Sequence, residues 1–181
     1  MQTHELVAHA AHSPLGIRRV EAKILSMTDA WMRVRWRIDG SEKLVIPAFA
    51  GKGRQDDLWQ TTCFELFIMP RDGTPGYSEF NLSPSERWAA YDFDDYREGM
   101  RQRDFAREPD CSIRSGQSIT IFDAALPRVQ LPGPPCSIGL AAVLEEEGGV
   151  KSYWALSHHK EKPDFHDPAC FNACLARTRA A

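Results

Sequence analysis

No run of this chain approaches the ~20 consecutive apolar residues that a membrane-spanning helix needs. The stretch from Met1 to Ala11 has no basic segment leading into an apolar one, so it does not read as a secretory leader. Charge is balanced rather than one-signed: 22 basic residues meet 25 acidic ones, for a formal net charge of −3. Without a basic surplus, nucleic acid is not an expected partner, and without an apolar span a membrane is not either. Catalytic signatures are also missing. Gly51-Lys-Gly53 lacks the flanking spacing of a phosphate-binding loop or a dinucleotide fingerprint, and neither GxSxG nor HExxH occurs. Helical periodicity is sparse, and no strand–helix–strand alternation appears, which excludes a doubly wound parallel sheet.

Cysteine is present but in an unpaired pattern: Cys63, Cys111, Cys136, Cys170 and Cys174, with no CxxC. An odd number without a leader is expected to stay reduced, which points to a cytoplasmic setting. Cys170 and Cys174 stand four apart, downstream of His158, His159 and His166. Thiolate and imidazole suit zinc, but this is not the spacing of a finger or a ribbon. Buried free thiols are the expected reading, with no metal and no cofactor.

What the chain has in quantity is short alternating runs. In Trp31–Ile38, Trp31, Arg33, Arg35 and Arg37 fall on one face, and Met32, Val34, Trp36 and Ile38 on the other. Period two marks a half-buried strand. Further strands are expected at 5–11, 20–27, 43–47, 61–69, 77–83, 87–93, 111–114, 118–124, 136–145, 150–156 and 171–176. Turn clusters punctuate them, the clearest being Pro70-Arg-Asp-Gly-Thr-Pro-Gly76. Asp94–Arg107 reads as a helical turn or an excursion loop, and Asp123–Leu126 as a single helical turn before Pro127. Short strands at ~10-residue spacing predict an all-β fold, an antiparallel β-sandwich of two sheets, jelly-roll-like, with little helix. The 181 residues suit one domain, and no linker divides them.

The chemically richest segment is 56–99. Strand parity puts Cys63, Glu65, Phe67 and Met69 on one face, opposite Phe64, Leu66 and Ile68. If this strand pairs with the next through the Pro70–Gly76 hairpin, Glu65, Glu79 and Asn81 share a face. Trp88, Ala90 and Asp92 alternate with Ala89, Tyr91 and Phe93, and either set fits beside it. Carboxylates and an amide among aromatics suit a site that grips hydroxyls or a cation, because buried carboxylates require partners. The same alternation also describes a solvated outer face. Near the C-terminus, a loop of imidazoles, lysines and carboxylates follows Leu156. In it Phe165 is placed to plug one end of the fold, while Asp164 and Asp167 cap backbone amides.

Leu58-Trp59 with Cys63-Phe-Glu-Leu-Phe-Ile68, then Tyr77-Ser-Glu-Phe-Asn-Leu-Ser-Pro84 with Trp88, resembles the DOMON-like superfamily, in the branch related to family 9 carbohydrate-binding modules. Trp154-Ala-Leu-Ser-His158, with Lys162-Pro-Asp-Phe-His166 and Phe171, is similar to the closing motif of a bacterial subgroup of those proteins. The resemblance spans roughly 20–175. It implies a sandwich of two antiparallel sheets that binds sugar or haem. By motif position it also implies a ligand site of Trp59, Glu65, Glu79 and Asn81, with Trp88, Trp154 and His158 beside them.

The expected function is therefore a non-catalytic, ligand-binding domain for a carbohydrate or another polyhydroxylated small molecule. Three alternatives stay open: a haem or electron-transfer module with Met69 and His158 as axial ligands, a sugar-active enzyme using Glu65 and Glu79 as acid and base, and a protein-binding scaffold.

Overall fold

The computed structural model describes residues 2–176. Thirteen strands run through it: β1 (Thr3–Ala8), β2 (Arg19–Met27), β3 (Trp31–Asp39), β4 (Gly53–Arg54), β5 (Cys63–Pro70), β6 (Tyr77–Leu82), β7 (Arg87–Phe93), β8 (Arg101–Gln102), β9 (Asp110–Ser115), β10 (Ile119–Pro127), β11 (Cys136–Glu146), β12 (Val150–Ala155) and β13 (Ala173–Leu175). Helix among the described residues is limited to three single 3-10 turns, at Leu58–Gln60, Arg128–Gln130 and Pro168–Cys170.

The fold is all-β, but the strands form one continuous curled sheet rather than two separate ones. Its order is β4-β7-β6-β5-β11-β12-β1-β2-β3-β10-β9, with β13 also on β11 and β8 on β7. It is mixed, because β4 runs parallel to β7. Strand β1 explains the continuity. Thr3–Leu6 pair with β2, and Val7 and Ala8 then pair with β12, so one short strand hands its hydrogen bonds from one wing to the other.

The wings close on each other through large apolar side chains. Phe64 of β5 stacks on Phe122 of β10 at 4.2 Å, and Trp36 of β3 lies 5.4 Å from Phe64. These strands are not hydrogen-bonded neighbours, so the contact crosses the interior. The period-two reading of β3 holds residue by residue: Met32, Val34, Trp36 and Ile38 are fully buried. Two expectations do not hold. Residues 43–47 form no strand beyond a single bridge from Leu44 to Glu146, and Asp123–Leu126 continue β10 instead of turning. In the second case Pro127 is the last residue of the strand, in register with Trp31.

The other face of the β5–β6–β7–β11–β12 wing carries a second apolar cluster, roofed by the C-terminal segment. Phe171 stacks on Phe67 at 5.4 Å, and both lie over Gly139 of β11. A Cβ at Gly139 would come within 2.6 Å of the Phe171 ring and 3.1 Å of Phe67 Cβ. Gly139→Ala is therefore expected to cost about 2 kcal/mol through overpacking. Urea unfolding checks this, and an unchanged midpoint would show that the roof yields freely.

Candidate functional site

The hairpin between β5 and β6 sets the site. Its register places Glu65 opposite Asn81 and Phe67 opposite Glu79, which puts both glutamates and the asparagine on one face. The next pairing sets Glu79 opposite Tyr91 and Asn81 opposite Ala89, so the Tyr91 parity of β7 joins that face. This face floors an open cavity of about 1010 Å³. Val143 of β11 and Tyr153 of β12 extend the floor, and Trp59 and Asp56 stand on one wall. Arg97, Phe165 and His166 also line it.

Of the residues singled out from sequence, Trp59, Glu65, Glu79 and Asn81 line this cavity. Trp59 is held on the short turn after Asp57, whose backbone is left-handed at φ 60°, and its side chain is about half exposed. Trp88 and Trp154 lie elsewhere, in the main core between the wings. The Trp88 indole donates to Glu108 and that of Trp154 to Ser152. Opposite parity accounts for Trp88: it pairs with Leu82, whose side chain faces inward. His158 also stands outside the cavity lining, with Nε2 donating to the Val7 carbonyl at 2.9 Å and its ring against His9. Met69 is likewise off the cavity, at the margin of the second cluster.

The floor is a low-dielectric place for carboxyl groups. Glu65 is 4% exposed, Glu79 7% and Asn81 2%. Burial pushes Glu65 well above the usual carboxylate range, and the neighbouring Glu79 charge adds to the rise. Burial also lifts Glu79 to about 7, against the opposing pull of the Asn81 amide and the Arg97 charge. Asn81 Nδ2 donates to Glu79 Oε1 at 2.7 Å. The other end of that amide, Asn81 Oδ1, is buried with no hydrogen-bond partner among the described residues. Glu65 forms no side-chain hydrogen bond or ion pair among the described residues.

His166 stands 3.7 Å from Glu79 Oε2 but offers no lasting positive charge, since burial and the Arg97 charge lower it to about 4. The Arg97 backbone N–H donates to the Tyr77 hydroxyl, and that hydroxyl is hydrogen-bonded to His166 Nδ1 at 2.8 Å.

The wall beyond is tied by Asp164. It accepts from Arg97 Nη2 at 2.8 Å, from Lys160 Nζ at 2.6 Å, from the Tyr96 hydroxyl and from the His166 backbone at 3.2 Å. Burial alone would raise Asp164, but the bonds from Lys160, Tyr96 and Arg97 outweigh it and hold the carboxyl far below its usual range. Asp167 caps Ala169 N at 3.0 Å, as the sequence suggested for this loop. Sequence reading missed Arg97 and Tyr77 as parts of the site, and left the Tyr91 face of its strand as one of two alternatives. Arg97 lies in a polar excursion loop, and nothing local announces that its guanidinium reaches a carboxylate 67 residues away.

No family model matches the chain, and no curated protein matches it. Solved structures do. A candidate carbohydrate-binding protein from Bacteroides uniformis aligns with a TM-score of 0.64 at 15% identity, covering 95% of this chain and 84% of that one. A family 9 carbohydrate-binding module from Caldicellulosiruptor kristjanssonii, solved in complex with glucose, aligns with a TM-score of 0.58 at 8% identity, covering 98% and 87% respectively. At these identities the likeness is one of fold: the chain has the fold of a carbohydrate-binding module.

Proposed function

We propose that the cavity binds a carbohydrate or a closely related polyhydroxylated molecule, in keeping with the DOMON-like and family 9 resemblance of the sequence, and that its first role is binding rather than catalysis. The observation that carries this reading is the meeting of a half-exposed indole, Trp59, with Glu65, Glu79 and Asn81 on the floor of one cavity. A pyranose has an apolar face that stacks on an aromatic ring and hydroxyls that both donate and accept. Carboxyl and amide groups offer the complementary set. The cavity volume, about 1010 Å³, lies at the upper end of the ~300–1,000 Å³ typical of ligand pockets, so it has room for more than one sugar ring. The shared fold of a glucose-bound module supports the same reading.

Calorimetric titration with a panel of mono- and oligosaccharides tests it. Trp59→Ala is expected to weaken binding about tenfold, because the stacking ring is lost while the floor remains. Sugar binding that is indifferent to both Trp59→Ala and Asn81→Ala would place the ligand elsewhere, and no binding across the panel would refute the ligand class.

One observation favours a second reading. Two carboxyls share one face of the cavity floor and burial holds both above the usual carboxylate range, and such a pair suits a general acid beside a base. Release of new reducing ends from oligosaccharides, abolished by Glu65→Gln, would support a sugar-active enzyme. A lack of turnover with intact binding would leave the binding role alone.

A further inference from the structure

The floor of the cavity holds more acceptors than donors. Glu65 and Glu79 sit on adjacent strands, both nine-tenths buried, and the Asn81 amide spends its N–H on Glu79 and leaves Oδ1 without a partner among the described residues. The nearest guanidinium, Arg97, is bonded to Asp164 rather than to either glutamate. His166 approaches Glu79, but its ring is neutral near neutral pH. A neutral sugar hydroxyl brings one proton to such a place. A protonated primary amine brings three N–H donors and a full positive charge. The Glu65 and Glu79 carboxyl groups and Asn81 Oδ1 face that space, and an arriving positive charge favours the ionised, accepting form of both carboxyls.

We propose that the cavity selects an amino sugar, a pyranose whose ammonium group is held between Glu65 and Glu79 and capped by Asn81 Oδ1, with the ring extending toward Trp59. This rests on the carbohydrate reading of the same cavity and narrows it to a ligand class. The ammonium supplies the countercharge that the fold withholds. Bringing an unpaired charge to a buried carboxylate pair is where charge-assisted hydrogen bonds contribute most, since water no longer screens them.

The pH response follows from what surrounds Glu79. It faces Glu65 on β5, Tyr91 on β7, Arg97 from the loop before β8 and His166 from the C-terminal segment, with Tyr77 on its own strand. Asp56 is bonded to Tyr91, and Asp164 and Lys160 stand behind Arg97 and His166. His166 and Arg97 do not change charge between about pH 5.5 and 7.5, so Glu79, held at about 7, is the group that titrates there. The bound ammonium requires ionised carboxylate, so acid should weaken it by proton competition.

The experiment is calorimetric titration of the whole chain with D-glucosamine, D-glucose and N-acetyl-D-glucosamine at about pH 7.5, repeated with glucosamine and glucose at about pH 5.5. Glucosamine is expected to bind at least about tenfold tighter than the other two, because acetylation removes the charge while keeping the ring. At the lower pH that preference should collapse toward unity. Glu79→Gln should erase it at both values. If that variant does not fold, the acetylated ligand and the acid series on the wild-type chain still decide the matter. Equal affinity for glucose and glucosamine, or for glucosamine and its acetylated form, overturns the amine assignment and leaves the carbohydrate reading intact. Failure of all three sugars, and of the wider panel, overturns both.

Discussion

Replacement of Glu146 by alanine is expected to destabilise the chain by about 3–5 kcal/mol, the largest effect of any single polar substitution in this fold. The side chain is fully buried at the end of β11. Its carboxyl group accepts from Leu15 N and Gly16 N, both at 2.6 Å, and from Ile17 N at 3.3 Å. Those amides belong to the segment that leaves β1 for β2, at the place where the sheet turns from one wing to the other. The packing there has no slack: a Cβ on Gly40, which has φ 84°, would meet the Gly16 carbonyl at 2.3 Å. Alanine would leave three backbone donors without their acceptor, that of Ile17 in a buried bond and those of Leu15 and Gly16 in part-buried ones, and a buried donor left unmade costs ~1–3 kcal/mol. Glu146→Gln keeps one acceptor and should lose about half as much. Urea unfolding should show a lower midpoint at unchanged slope, as expected when stability alone changes. A loss below ~1 kcal/mol would mean that the segment finds other partners and that the carboxyl is not what fastens the bend.

Glu146 also shows where the sequence stops speaking. It lies in Glu145-Glu-Glu147-Gly148-Gly149, which reads as a polar turn, and nothing local separates the fully buried Glu146 from its neighbours. The approach of residues 15–17, about 130 positions earlier, and of the segment around Leu44 makes it internal. By contrast, β3 was legible outright, because arginines alternate with core residues in a single strand and parity needs no partner. The shared face of Glu65, Glu79 and Asn81 was legible at one remove, since the Pro70–Gly76 turn fixes which strands pair. Trp88 was not, because its face depends on the register between β6 and β7. A slip of one residue exchanges Trp88 with Ala89. Trp154 fails for the same reason on β12. The roof of the site was visible only as a loop rich in function-prone residues. Its capping aspartates follow from local chemistry, whereas the Arg97–Asp164 and Tyr77–His166 links depend on tertiary approach.

The second large effect lies in the response of stability to pH, and the floor of the cavity sets its sign. Burial holds Glu79 at about 7 in the folded chain, against 4.5 for an ordinary glutamate. Between those values the folded state keeps a proton that the unfolded chain releases. The associated stabilisation is complete below about pH 4.5 and is lost as pH rises through about 7. At ~1.36 kcal/mol per pH unit this amounts to about 3 kcal/mol. Glu65 acts in the same direction, because burial and the neighbouring Glu79 charge raise it too. His166 acts in the opposite direction. Burial and Arg97 lower it to about 4, so its contribution is complete above about pH 6.5 and is lost as pH falls through 4. Between about pH 4.5 and 6.5 the Glu79 and His166 slopes therefore nearly cancel, and Glu65 supplies the net decline. The difference between wild type and Glu79→Gln isolates Glu79 together with the rise that its charge imposes on Glu65. Measured by urea unfolding from about pH 5 to 8, the wild type should lose on the order of 3 kcal/mol more than the variant across that range, the separation growing toward pH 7 and levelling above it. Parallel curves would mean that Glu79 titrates in the folded chain as it does in water. The floor would then be hydrated enough to need no ligand charge, and the case for an ammonium between the two carboxylates would go with it.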